Sequence, residues 1–143
     1  MSDKILTTMI GSLPHKDPKA ALDLLEKYPL GIPAWPQLPK ISFKEGMIPQ
    51  YSEGFPGVVI EGDRIYINRS QDYSQSLEQL YTAYLENDYN KYPISQDYAA
   101  GLHAFLGLED LSPLAVKGHV TGPVSWGLTV TDADRRSIIY DDV

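Results

Sequence analysis

The sequence predicts an α/β fold, and three observations lead to that prediction. Apolar runs rich in β-branched residues lie near both ends of the 143-residue chain, and each breaks at a glycine that proline follows within a few residues. Apolar residues between these runs recur at helical spacing. Two short apolar runs flank Gly62-Asp63, a pair typical of a β-hairpin turn. Because a glycine at a strand end opens the chain into a loop, the two Gly/Pro motifs predict one shared ligand site.

The first third of the chain predicts a strand and then a helix. Residues 5–10 are the first strand candidate, which Gly11 stops. Asp17 is a typical helix N-cap, and Pro18 suits the first helical position because its missing N–H group is not needed there. The apolar face of this helix is formed by Ala21, Leu22, Leu25 and Tyr28, before Pro29 and Gly31 end it.

Prolines are frequent between residues 29 and 57, so we expect only a short strand around 32–35 and an irregular loop there. Residues 58–61 and 64–67 are then expected to pair as an inserted β-hairpin with a type II′ turn.

The second half of the chain carries two further helix predictions. The most regular amphipathic pattern consists of Leu77, Leu80, Tyr81, Tyr84 and Leu85. A third helix is expected over residues 96–106, with Gly107 as its stop. Residues 114–120 are expected to enter a strand that ends at Thr121-Gly122-Pro123. No linker composition divides the chain, which favours a single domain over residues 1–143.

Amino-acid composition argues against several classes of function. The net charge is −7, and 12 Lys and Arg residues are scattered among 19 Asp and Glu residues, which argues against a nucleic-acid-binding surface. No apolar run reaches membrane-spanning length and no signal-peptide pattern is present, so we expect a cytoplasmic protein without a membrane partner. The chain has no cysteine, so it supplies neither a disulfide nor a thiolate metal ligand.

Two segments resemble a known superfamily. Residues 7–14 read Thr-Thr-Met-Ile-Gly-Ser-Leu-Pro, and residues 121–124 read Thr-Gly-Pro-Val. Together they are similar to strand-end motifs of the cobalamin-independent methionine synthase and uroporphyrinogen decarboxylase superfamily. Residues 32–39 resemble the second strand end of its methyltransferase-like members. The resemblance implies a partial (β/α)8 TIM barrel with an inserted β-hairpin, because a complete barrel needs about 250 residues.

The resemblance also implies a substrate site. In the methionine synthase pattern, Ile10, Gly11 and Ser12 line a pocket for an amino-acid thiol. The remaining substrate-binding candidates are His15, Trp35, Gln37, Thr121, Gly122 and Trp126. Structural alternatives remain open: Ser12 in an ordinary turn, His15 in an exposed loop and Trp35 in the core. His119 is more typical of a structural strand residue, and His103 of a helix boundary. No catalytic residue is assigned.

The functional expectation follows from this resemblance. It is that the chain is the N-terminal part of a methyltransferase-like protein that binds a thiol or corrinoid-linked substrate or a methyl donor. Zinc is implied for the complete family domain but for no residue of this chain, so the chain alone is expected to be inactive. The alternative is a non-catalytic small-molecule-binding or assembly module. A uroporphyrinogen decarboxylase is less favoured, because residues 32–39 contain no arginine.

An incomplete barrel leaves the stripe that begins at Leu77 uncovered, together with the outer strand edges. We therefore expect a homodimer in which a second chain fills part of the missing barrel half.

Overall fold

The structure is a computed structural model that describes residues 6–69, 72–109 and 112–140. These residues form five α-helices, which are α1 (Pro18–Lys27), α2 (Met47–Gln50), α3 (Tyr73–Glu86), α4 (Ala100–Leu106) and α5 (Pro123–Thr129). The three strands are β1 (Val58–Glu61), β2 (Arg64–Ile67) and β3 (Thr131–Asp132). Short 3-10 helices lie at Phe43–Glu45, Tyr89–Lys91 and Ile138–Tyr140.

Contacts within the chain divide it into two compact units, each built from two chain segments. Unit 1 comprises Met1–Gly46 and Gln96–His119, and unit 2 comprises Met47–Ser95 and Val120–Val143. The single domain over residues 1–143 stays a prediction.

In unit 1, α1 begins as its sequence predicts. Pro18 occupies the first position, and the Asp17 carboxylate accepts a hydrogen bond of 3.0 Å from the Lys19 N–H group. The helix packs against α4, and the core between them is a buried cluster of Leu22, Trp35 and Phe105. The amphipathic pattern therefore identifies the buried side of α1 correctly near its start, although Tyr28 at the other end is exposed.

Three extended segments of unit 1 run parallel to one another. Isolated bridges pair Thr8 with Ile32, Ser12 with Gln37 and Ala34 with Lys117. Residues 31–37 therefore lie between the other two segments. Each pairing is too short to form a named strand, so the strands expected over residues 5–10, around 32–35 and over 114–120 are not formed as such by the described residues.

A buried carboxylate holds the start of α4. Glu45 is 1% exposed, and its Oε1 accepts a hydrogen bond of 2.7 Å from the Ala100 N–H group. Ala99 at the N-cap position has no hydroxyl or carboxylate side chain to offer this group. Because the helix starts at this contact, it covers residues 100–106 and not the expected 96–106, while Gly107 ends it as predicted.

Unit 2 contains the predicted hairpin. β1 and β2 pair antiparallel, and Gly62 has a φ of +58° in the turn. Asp63 has no positive φ. A type II′ turn requires a positive φ at its first central residue and a negative φ at its second, and this turn fits that requirement. Ile65 and Ile67 point to the buried side of β2. β3 adds to β2 in parallel, which makes the sheet mixed.

The predicted partial (β/α)8 TIM barrel is wrong. The described residues form a three-stranded mixed sheet in the order β1-β2-β3, with five helices, whereas a barrel of that class needs eight parallel strands. The prediction of a methyltransferase-like protein depended on that barrel, so it is withdrawn together with the barrel.

A second correction concerns residues 121–124. The predicted strand end is instead the start of α5, with Gly122 at the N-cap and Pro123 at the first helical position. Proline is favoured there for the same reason as in α1, so the motif fits a helix start as well as a loop.

Candidate functional site

The candidate site lies where the three parallel segments of unit 1 end side by side. Three backbone hydrogen bonds fix their alignment. The Gln37 N–H group donates to the Gly11 carbonyl at 2.9 Å, and the Leu13 N–H group donates to the Gln37 carbonyl at 2.9 Å. The Lys117 N–H group donates to the Pro33 carbonyl at 2.8 Å. Since the segments are parallel, residues 11–12, 35–37 and 117–119 come to the same end. We call this group of residues the strand-end cluster.

The centre of the strand-end cluster is a stacked pair of rings. The His119 imidazole lies on the Trp35 indole with 5.1 Å between ring centroids and 13° between ring planes. Trp35 is buried and belongs to the core of unit 1, which holds the pair in place. The core role that was open for Trp35 in the sequence is therefore present, together with a ring contact to His119.

Gly11 makes room for this pair. Its φ is +114°, and a Cβ added there would lie 2.7 Å from His119 Cε1 and 3.0 Å from the Trp35 carbonyl oxygen. A side chain is excluded both by the backbone conformation and by the space. The glycine of the sequence motif is thus explained by the close approach of an imidazole.

The electrostatics of His119 follow from its surroundings. Burial lowers the pKa of its imidazole below the ordinary value of 6.5, and the nearby positive charge of Lys117 lowers the pKa further. Lys117 itself donates a hydrogen bond of 2.9 Å from Nζ to the Met9 carbonyl. The lowered pKa favours the neutral form of the His119 imidazole at pH 7.

Two polar side chains border the rings. The Ser12 hydroxyl donates a long hydrogen bond of 3.4 Å to Gln37 Oε1. Gln37 is buried, while Ser12 is exposed, so the hydroxyl is the part of this pair that solvent reaches. Ile10 is 79% exposed. His15 is half-buried, and its Nδ1 has no hydrogen-bond partner among the described residues.

The other predicted site residues belong to unit 2. The Thr121 hydroxyl donates a hydrogen bond of 2.7 Å to the Met47 carbonyl, and Gly122 is the exposed N-cap of α5. Trp126 Nε1 donates a hydrogen bond of 2.7 Å to the buried Ser52 hydroxyl, and the indole packs against the Phe55 ring. These contacts tie α5 to residues 47–55.

Sequence reasoning missed Lys117 and underrated His119. The signal was present: a cation two residues before a histidine, on a segment expected to enter a strand. Glu45 was also missed, because nothing in its local sequence indicates burial. Burial raises the pKa of the Glu45 carboxyl, and the Ala100 and Leu38 N–H groups oppose that change.

Unit 1 also contains an apolar cavity of about 320 Å³ beside α1 and α4. Its walls include Leu25, Pro33, Phe105 and Leu108, and its polar lining is limited to Glu26 and Ser112. The cavity offers apolar contact and few groups that could orient a ligand.

Fold and site together define a small α/β protein with a mixed three-stranded sheet and a strand-end cluster of polar and aromatic side chains. No protein-family profile, curated protein or solved structure matches this chain. Among the residues that the structure describes, none of the helices is long and apolar enough to cross a membrane. The same residues contain no group of three histidine, aspartate or glutamate side chains placed to hold a metal ion.

Proposed function

We propose that the chain binds a small molecule at the strand-end cluster of unit 1 without transforming it. The alignment of the three parallel segments supports this proposal, because it brings residues 11–12, 35–37 and 117–119 to one end. In α/β proteins the crevice outside the carboxyl ends of parallel strands is the usual ligand site, since the loops that follow can diverge around a ligand.

The ligand class follows from the side chains. The exposed residue Ser12 has a hydroxyl that can donate or accept a hydrogen bond, and the neighbouring Gly11 lies against the buried Trp35 and the His119 ring stacked on it. A ligand with one polar head and a short, soft apolar arm suits this combination. An amino-acid thiol has both parts. Homocysteine is therefore the first probe.

The proposal excludes turnover by this chain alone. The chain has no cysteine, so it supplies no thiolate ligand for a metal that could activate the thiol. Without such ligands the thiol is not activated as a thiolate by a bound metal. We expect binding of the thiol and no methyl transfer.

A titration of the ¹⁵N-labelled protein with homocysteine tests the site, with homoserine as the matched ligand that has a hydroxyl in place of the thiol. We expect backbone amide shifts at Ser12 and Gln37. Ser12→Ala should weaken binding about 2- to 10-fold, because one hydrogen bond contributes about 0.5–1.5 kcal/mol. Ser112→Ala is the matched control, since it removes an exposed hydroxyl at the apolar cavity of the same unit.

Several outcomes would contradict the proposal. Shifts confined to Leu25, Phe105 and Leu108 would move the site to the apolar cavity, and an absence of shifts with either ligand would remove it. Incubation with zinc, a methyl donor and homocysteine should yield no methylated product. Robust turnover would contradict the non-catalytic part alone and leave the binding part standing.

A further inference from the structure

Most of the apolar face of α3 is exposed, while Leu77 and Leu80 on the same face are half-buried. Its stripe consists of Leu77, Leu80, Tyr81, Tyr84 and Leu85, which we call the α3 stripe. Tyr81, Tyr84 and Leu85 are 62%, 66% and 61% exposed, and Ala83 is the buried residue of the helix. A surface depression of about 730 Å³ runs along the stripe. Apolar residues at i, i+3, i+4, i+7 and i+8 form the kind of surface that packs against another helix.

The composition of the helix is that of a self-association surface. The charged side chains of α3 are Glu78 and Glu86, and the helix has no lysine or arginine. Its remaining polar residues include Ser74, Gln75 and Thr82, which carry no charge. Depletion of charge together with enrichment of tyrosine is typical of the core of a protein interface.

The exposed area is sufficient for a weak dimer. An aromatic side chain can bury about 150–250 Å². The exposed parts of the α3 stripe therefore amount to roughly 500 Å² per chain, or roughly 1,000 Å² for a symmetric pair. That value is at the lower limit for specific interfaces, so we expect an association that depends on concentration in the micromolar range.

We propose that α3 packs antiparallel on α3 of a second copy of this chain, about a two-fold axis near Tyr81. This arrangement places Leu77 opposite Leu85 of the second copy, so that apolar residues meet along the whole stripe. The two Glu78 side chains are then offset by about 9 Å along the axis. A parallel pairing in register would place each glutamate beside its own copy, where like charges repel. Charge therefore selects the antiparallel direction.

Disulfide cross-linking tests the direction in which the two α3 helices pair. Because the chain has no cysteine, each introduced cysteine is the only thiol of its variant or one of the two introduced. Tyr81→Cys alone and the double variant Leu77→Cys/Leu85→Cys should form disulfide-linked dimers on oxidation. Leu77→Cys alone should cross-link poorly, because the two copies of that position are offset by about 12 Å, beyond disulfide reach. Tyr28→Cys, exposed on unit 1, is the matched control and should not cross-link above background. Strong cross-linking of Leu77→Cys alone would overturn the antiparallel arrangement.

Light scattering over a dilution series tests the association itself. The mass should rise from 16.0 kDa towards twice that value with concentration. The net charge of −7 opposes self-association, so added salt should shift the transition to lower concentration. Tyr81→Ser/Tyr84→Ser should raise the dissociation constant at least about 10-fold. Tyr140→Ser, an exposed tyrosine outside α3, should leave it unchanged.

Three outcomes would overturn the proposal. A mass that stays at 16.0 kDa at every concentration overturns the proposal. A dimer whose dissociation constant is unchanged in Tyr81→Ser/Tyr84→Ser also overturns it. A monomer that binds a basic amphipathic peptide through the α3 stripe overturns it as well. Binding of homocysteine depends on unit 1, so its failure or success leaves this result unaffected.

Discussion

At the scale of single residues, Gly11 sets the position of the His119 imidazole. Its φ of +114° is a conformation that residues with a Cβ rarely adopt, and the imidazole occupies the space in which that Cβ would stand. The stacked pair on Trp35 therefore depends on the one residue type that satisfies both conditions. This close approach is the structural role of Gly11, and it lies within the strand-end cluster.

Gly11→Ala should destabilise unit 1 by at least about 2 kcal/mol, since a residue with a Cβ at such a φ is strained and the imidazole must also shift. Urea denaturation measures the change, and near-UV circular dichroism reports the packing of the aromatic side chains, Trp35 among them. The matched control is Gly118→Ala, which has no positive φ and no atom within 4 Å of the added Cβ. It should change the free energy of unfolding by less than about 1 kcal/mol. Equal effects of the two substitutions would contradict this account.

At the scale of elements, α4 is positioned by a backbone contact. Gly101 lies directly against the Pro36 carbonyl, and an added Cβ would overlap that oxygen. The Glu45 carboxylate meanwhile holds the first N–H group of the helix. Through these contacts α4 supports the segment that carries Trp35 and Gln37, so the strand-end cluster depends on a helix that does not belong to it.

Gly101→Ala should destabilise the protein by at least about 2 kcal/mol, because a rigid backbone oxygen occupies the space. The sign of this stability change is informative, because alanine is favoured over glycine in helices by about 1 kcal/mol where space allows. Gly107→Ala is the control, because the nearest atom to its added Cβ lies at 3.4 Å, an ordinary contact distance. Thermal unfolding of both variants gives the comparison. A stabilised Gly101→Ala variant would show that α4 is not held in this way.

At the scale of the whole molecule, two ionisable groups make stability depend on pH in opposite directions. Burial and Lys117 lower the pKa of His119, so the unfolded chain binds a proton near pH 6.5 before the folded chain does. Stability is therefore lost as the pH falls below about 6.5. Burial raises the pKa of Glu45 above 4.5, so the folded chain keeps its proton longer. The titration of Glu45 therefore lowers the free energy of unfolding as the pH rises through the raised pKa.

His119→Gln should flatten the loss of stability between pH 6.5 and 5, because glutamine does not titrate. Urea denaturation at pH 5 and pH 7.5 gives the slope for each variant. Glu45→Gln should act with the opposite sign, by removing the stability lost on raising the pH. Gly118→Ala, which removes no ionisable group, is the control and should keep the parent slope. A parent slope retained in His119→Gln would assign the acid sensitivity to another group.

The sequence by itself determined the local elements. The Asp17-Pro18 pair predicted the start of α1, Gly62-Asp63 predicted the hairpin turn, and the stripe from Leu77 predicted α3. Each depends on interactions within a few residues, namely a cap, a turn with positive φ or a helical period. Gly11, Trp35 and Gln37, which the resemblance assigned to one site, do lie beside one another, and their role in a ligand site stays a prediction.

Only the tertiary structure decided how far these elements extend and what surrounds them. The barrel was inferred from motifs at strand ends, but strand number depends on pairing between distant segments, which those motifs do not encode. The proline after Gly122 suits a helix start as well as a strand end, and the structure has the helix. The burial of Glu45 and the stacking of His119 on Trp35 join residues more than 50 positions apart in sequence. Such contacts arise from packing, to which every segment contributes, so no single segment predicts them.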